Sequence, residues 1–160
     1  MMNRLRTALV SVTAVAVAMM VLGSNARAKS VPSASQRYVV VLTRLAQVEI
    51  RNGISLLQRY SSLQSTVNRL DSLSMAAAPN SRLVATIDVR IAAVSNRAAT
   101  VYAGIQNNAN FVEATTTALK TVAPLAVPPL PPRAQARVAN TVYLGQTLVG
   151  VERGVATLTR

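Results

Sequence analysis

From Val84 to Val122 the chain places an apolar or near-apolar residue at alternating steps of three and four: Val84, Ile87, Ile91, Val94, Ala98, Val101, Ile105, Asn108, Val112, Thr115, Leu119 and Val122. Such steps keep one stripe on one side of an α-helix, and only Asn108 and Thr115 interrupt it. A second stripe precedes it, through Val39, Leu42, Ala46, Glu49, Gly53, Leu56, Tyr60, Leu63, Val67, Leu70 and Ser74. Arg37, Arg44 and Arg51 recur every seventh residue on the opposite side, where a helix meets solvent. Asn52-Gly53 is a common turn dipeptide, and glycine costs about 1 kcal/mol inside a helix relative to alanine. The stripe nevertheless continues in phase through it, so the pattern predicts one helix with a kink at most.

Ala78-Pro79-Asn80-Ser81 ends the first pattern, and Asn80 or Ser81 suits the cap of the next helix. Five prolines between Pro124 and Pro132 end the second and predict an extended, polyproline-like spacer. A third helix follows, with Val138, Val142, Leu144, Leu148, Val151 and Val155 as its apolar face. Ala98, Ala99, Ala103, Gly104 and Gly145 are small enough to let helix backbones approach closely. The expected fold is all-α: a three-helix antiparallel bundle with two long coiled-coil-like helices and a shorter third helix after a Pro-rich connector. The helices are placed at about 36–77, 81–123 and 133–158, the connector at 124–132 and a flexible lead-in at 29–35, with 36–160 as one domain.

The first 28 residues read differently. Arg4 and Arg6 precede an uncharged run from Thr7 to Gly23, and Ala26-Arg27-Ala28 supplies a small-x-small cleavage site. This predicts a cleaved export signal, a mature start at Lys29 and a secreted or periplasmic protein. Retention of the segment would instead give a membrane-tethered structural protein. The chain has no cysteine, so stability comes from packing rather than disulfides.

Composition argues against catalysis. The chain lacks histidine and cysteine, and its acids are Glu49, Asp71, Asp88, Glu113 and Glu152. None pairs with another at the three- or four-residue spacing that puts two carboxylates on one helical face. Neither a Ser-x-x-Lys motif nor a glycine-rich phosphate loop is present. No catalytic residue, metal site or cofactor is therefore expected.

Charge points to binding instead. From Lys29 onward there are 14 basic residues, 12 of them arginine, against 5 acids, a net of +9. In the expected fold Lys29, Arg37, Lys120, Arg133 and Arg137 collect at one end, a candidate polyanion patch. Lipid headgroups, cell-wall polymers and acidic glycans are the anionic partners expected outside the cytoplasm. With one phenylalanine and four tyrosines, the chain lacks the interleaved aromatics of a nucleic-acid reader. Arginines on the outer face of a helix also serve simply to keep it soluble.

Folding the two long helices about residues 79 and 80 brings Glu49 beside Asn108. Folding the third about the middle of the connector brings Gln146 to a similar height. Glu49, Asn108 and Gln146 thus form a candidate polar core layer. Its simplest role is to set helix register or oligomeric state at a cost in stability; on that reading Asn108→Leu raises the melting temperature. The other role is a pocket. Together these features predict an exported, non-enzymatic bundle acting by interaction, through self-association or an anionic surface or polymer. The alternative is a small-ligand or lipid carrier with its opening near the polar layer.

Overall fold

The computed structural model describes residues 31–77, 79 and 82–158, and side chains as far as Val155. The expected export signal and Lys29 lie outside that range. Three helices follow one another: α1 (Ala34–Ala76), α2 (Arg82–Val122) and α3 (Pro132–Leu158). Among the described residues there is no strand, and no helix is long and apolar enough to cross a membrane.

α1 begins inside the expected lead-in because Ser33 caps it. The Gln36 amide nitrogen donates to Ser33 Oγ, and Ser33 N donates back to Gln36 Oε1, so two otherwise unpaired donors are satisfied. The helix then runs unbroken through Asn52-Gly53. Its stripe is the covered face: Val39, Leu42, Ala46 and Gly53 are buried, and every later stripe position from Leu56 to Ser74 is half-buried. In α2 all twelve stripe positions are buried or half-buried, Asn108 and Thr115 among the buried ones.

α3 keeps Val138, Val142, Leu148 and Val155 of its expected face covered and turns two others out. Leu144 and Val151 are 45% and 51% exposed, whereas Thr141, Gly145, Val149 and Glu152 are covered. Leu144 and Val151 each precede a buried residue by one position, which carries them about 100° around the helix. The third helix packs against both others, so its buried surface takes in Thr141, Gly145 and Glu152 beside Val138, Val142, Leu148 and Val149.

The close approaches are made by two glycines. A Cβ on Gly53 would collide with Asn108 Nδ2, lie 2.6 Å from Glu152 Oε1 and 2.7 Å from Leu148 Cδ2. A Cβ on Gly145 would lie 2.5 Å from Thr116 Cγ2 and 3.1 Å from Val112 Cγ1. Gly104 is different, its nearest neighbour being Leu56 at an ordinary 3.5 Å, and Ala99 and Ala103 are exposed.

The connector is an anchored strap rather than a free spacer. Ser35 Oγ donates to Val127 O at 3.1 Å and accepts from Val127 N at 3.2 Å. Gln36 Nε2 donates to Pro128 O at 2.9 Å and to Pro129 O at 3.1 Å. Ala126 and Leu130 are buried with Val39, Leu42, Leu119, Val138 and Val142 in one apolar cluster, which joins the start of α1, the end of α2 and the start of α3. Pro131 O caps α3 by accepting from the Ala134 and Gln135 amides.

Burial is uneven along the molecule. α3 is about 40 Å long and α1 about 65 Å, at 1.5 Å per residue, and every buried residue of α1 lies at or before Gly53. Just beyond it Leu57 still packs on the cluster that holds Leu148 and Val149 of α3, and α1 and α2 also meet where the Tyr60 and Tyr102 rings lie with centroids 6.0 Å apart. We predict that Gly53→Ala lowers the unfolding free energy by about 1–3 kcal/mol through overpacking. Gly104→Ala, where a methyl fits, raises it by up to about 1 kcal/mol. Urea denaturation followed by circular dichroism measures both.

Candidate functional site

The basic end is built on the apolar cluster just described. Arg37, Lys120, Arg133 and Arg137 are all exposed. Arg37 Nε donates to Pro32 O at 2.8 Å, which turns its guanidinium toward the segment leading into α1. Arg133 and Arg137 sit one helical turn apart on α3 and line a groove of about 240 Å³ floored by Val39, Val40, Leu130 and Val138. Arg44 of α1 closes the opposite wall of that groove.

Arg44 was legible only as one of three solvent-facing arginines. Its place in the site depends on α3 lying beside that edge of α1. Lys120 lines a second groove, of about 410 Å³, with Leu119, Pro124 and Val142. Leu130 and Val138 belong to both grooves and separate Lys120 from the arginines.

None of Arg37, Arg44, Lys120, Arg133 and Arg137 makes an ion pair among the described residues. The ion pair found there joins Arg153 to Glu113, both exposed, and an exposed pair of that kind adds little stability. The basic end therefore carries a positive potential that its own carboxylates do not cancel.

No protein family, curated protein or solved structure matches this sequence. The site's chemistry is accordingly read from its own residues.

Of the three polar residues expected in one core layer, Asn108 alone is buried. Its Nδ2 donates at 3.0 Å to Oε1 of Glu152, which is 1% exposed. Gln146 is exposed and lines a surface groove with Glu113 and Arg153 instead. The offset has a simple cause. Counting from the middle of the connector assumes that both sides climb equally, yet Leu130 remains in the end cluster and α3 starts only at Pro132. Asn108's level is therefore reached six residues later than expected.

Glu49 is half-buried and its Oε2 accepts from Asn52 Nδ2 at 3.3 Å. It meets Asn108 only as co-lining of an open groove of about 490 Å³, shared with Asn52, Arg59, Asn107 and Phe111. The core layer is thus Gly53, Asn108 and Glu152.

Burial raises the Glu152 pKa above the ordinary carboxylate value, and the Asn108 hydrogen bond offsets part of that rise. The second carboxyl oxygen, Oε2, has no hydrogen-bond partner among the described residues. This reverses the sign expected for Asn108→Leu. Removing the amide leaves both carboxyl oxygens of a buried acid unpaired, so the substitution destabilises by about 1–3 kcal/mol, measurable by urea denaturation.

Glu152 also gives the fold a pH dependence. Its carboxyl holds a proton more tightly folded than unfolded, so its contribution is fully present below the unfolded pKa and is lost as pH rises through the higher folded value. Wild type is expected to lose stability relative to Glu152→Gln as pH rises through that window. Thermal melts of the two proteins, compared pH by pH, isolate this term from the charge effects they share.

Proposed function

We propose that this chain is an exported, non-enzymatic protein acting by interaction, its basic end binding an anionic surface or polymer. The proposed arrangement is an antiparallel bundle with two long coiled-coil-like helices, processed to begin at Lys29. The observation that carries this reading is the set of five cations, Arg37, Arg44, Lys120, Arg133 and Arg137, grouped about one apolar end without carboxylate partners. Arginine suits the role because its planar fork engages phosphate and carboxylate oxygens in pairs. The export signal pattern at residues 1–28 supports an extracytoplasmic setting, and the lack of histidine, of cysteine and of two acids three or four residues apart supports a non-catalytic role.

A second reading rests on the groove beside Asn108. Glu49, Asn52, Arg59 and Asn107 present polar groups of both signs next to Phe111, which suits a small polar ligand. Native mass spectrometry of protein taken from its source, with a bound small molecule seen on it, would favour that carrier role over the first reading.

The first reading is tested by chromatography on immobilised heparin, used as a generic polyanion. Retention falls with salt, because the contact is electrostatic. Arg133→Gln with Arg137→Gln weakens it roughly thirtyfold, at about 1 kcal/mol per cation. Arg82→Gln with Arg90→Gln, on the part of α2 far from the connector, leaves it unchanged. Equal loss from the two pairs would show that net charge, rather than this end, is responsible.

A further inference from the structure

Where the cations gather, the connector turns two large aliphatic side chains into solvent. Leu125 is 70% exposed and Val127 75%, whereas Ala126 between them is 4% and Leu130 6%. Leu125 stands in a turn that follows α2, in which Leu125 N donates to Val122 O at 3.2 Å and Ala126 N to Ala123 O at 3.4 Å, so Ala126 faces the core between two outward side chains. The backbone after the turn is held by Ser35, which bonds both N and O of Val127, and by Gln36, which takes the carbonyls of Pro128 and Pro129. Val31, 68% exposed, precedes the Ser33 cap at the same end.

Single exposed aliphatics are ordinary on a protein surface. Here, however, Ala126 is buried between them and Ser35 ties the Val127 backbone, and the helix ends that the connector joins carry Lys120, Arg133 and Arg137. A hydrated soluble polymer offers aliphatic side chains no apolar phase to enter. A lipid surface offers that phase and the charge together, and two weak signals of this kind add to give stable attachment.

We propose that this end docks on an anionic lipid surface. Leu125 and Val127 enter the boundary between headgroups and acyl chains, and Lys120, Arg133 and Arg137 pair with headgroup phosphates. Arg44, across its groove from Arg133 and Arg137, is placed to hold a further phosphate against the wall of α1. The proposal rests on the reading of this end as an anion site and adds to it the identity of the partner. It differs from an amphipathic helix lying flat on a membrane, because the contact is made end-on by a strap.

The test uses the protein in the form isolated after export, with vesicles of phosphatidylcholine alone or mixed with phosphatidylglycerol, separated by flotation. Heparin retention is measured in parallel. Wild type is expected to float with the mixed vesicles and not with the neutral ones. Leu125→Ser with Val127→Ser is expected to bind the mixed vesicles about tenfold more weakly while its heparin retention is unchanged. Since both side chains are exposed, the pair is expected to keep its helical circular dichroism. Wild-type affinity in that pair, or equal binding of wild type to neutral vesicles, overturns the proposal. Retention on heparin without vesicle binding also overturns it and leaves the anion site standing; failure on both supports removes both readings.

Discussion

The structure depends on a missing side chain. Three helices converge where Gly53 presents bare backbone to Asn108, Leu148 and Glu152, with no room even for a methyl group. At that level the Asn108 amide meets the Glu152 carboxyl, and both are shut away from water. A buried acid is tolerable only where a donor reaches it, so the pair penalises a slipped α3 more than an apolar contact would. Gly145 repeats the arrangement nearer the basic end, against Thr116 and Val112. Two such crossings locate α3 along the other helices, and with it the height of Arg133 and Arg137.

The consequence reaches the surface. Had α3 settled one turn further along, Arg133 and Arg137 would no longer face Arg44 across their groove, and Leu130 would leave the cluster it shares with Val39 and Leu119. Leu130 links the two regions: it fills the core below and separates the arginine groove from the groove of Lys120 above. The strap holding it is tied to the first turn of α1 through Ser35 and Gln36. Gln36 thus completes the helix cap with one end of its amide and fastens the strap with the other.

The two long helices were legible because their steps of three and four run for many turns, and an error at one position is outvoted by the rest. Their covered faces follow the stripe nearly residue for residue. The height of α3 was not legible, since it depends on how far a proline-rich strap advances, and that is decided by Ser35, Gln36 and the burial of Leu130. Counting along the sequence consequently puts Gln146 where Glu152 stands, and so groups Asn108 with Glu49 and Gln146 instead of with Glu152. The same uncertainty hid Arg44. The basic end itself could be anticipated from charge and helix direction, whereas the outward aliphatics of the strap could not, because alternation over three residues is too short a pattern to separate from chance.

The part of α1 and α2 that lies beyond α3 has a different standing. There the two stripes cover only each other, with Ile87 and Ala98 as the buried residues of α2 before Ile105, and neither Gly53 nor the strap takes part. A matched segment of seven residues removed from both helices, or added to both, would keep every remaining stripe position facing its partner. The part of the two helices beyond α3 can thus lengthen or shorten over evolutionary time in paired heptads while the basic end stays as it is. The length of the molecule and the shape of its basic grooves are separately adjustable in this chain.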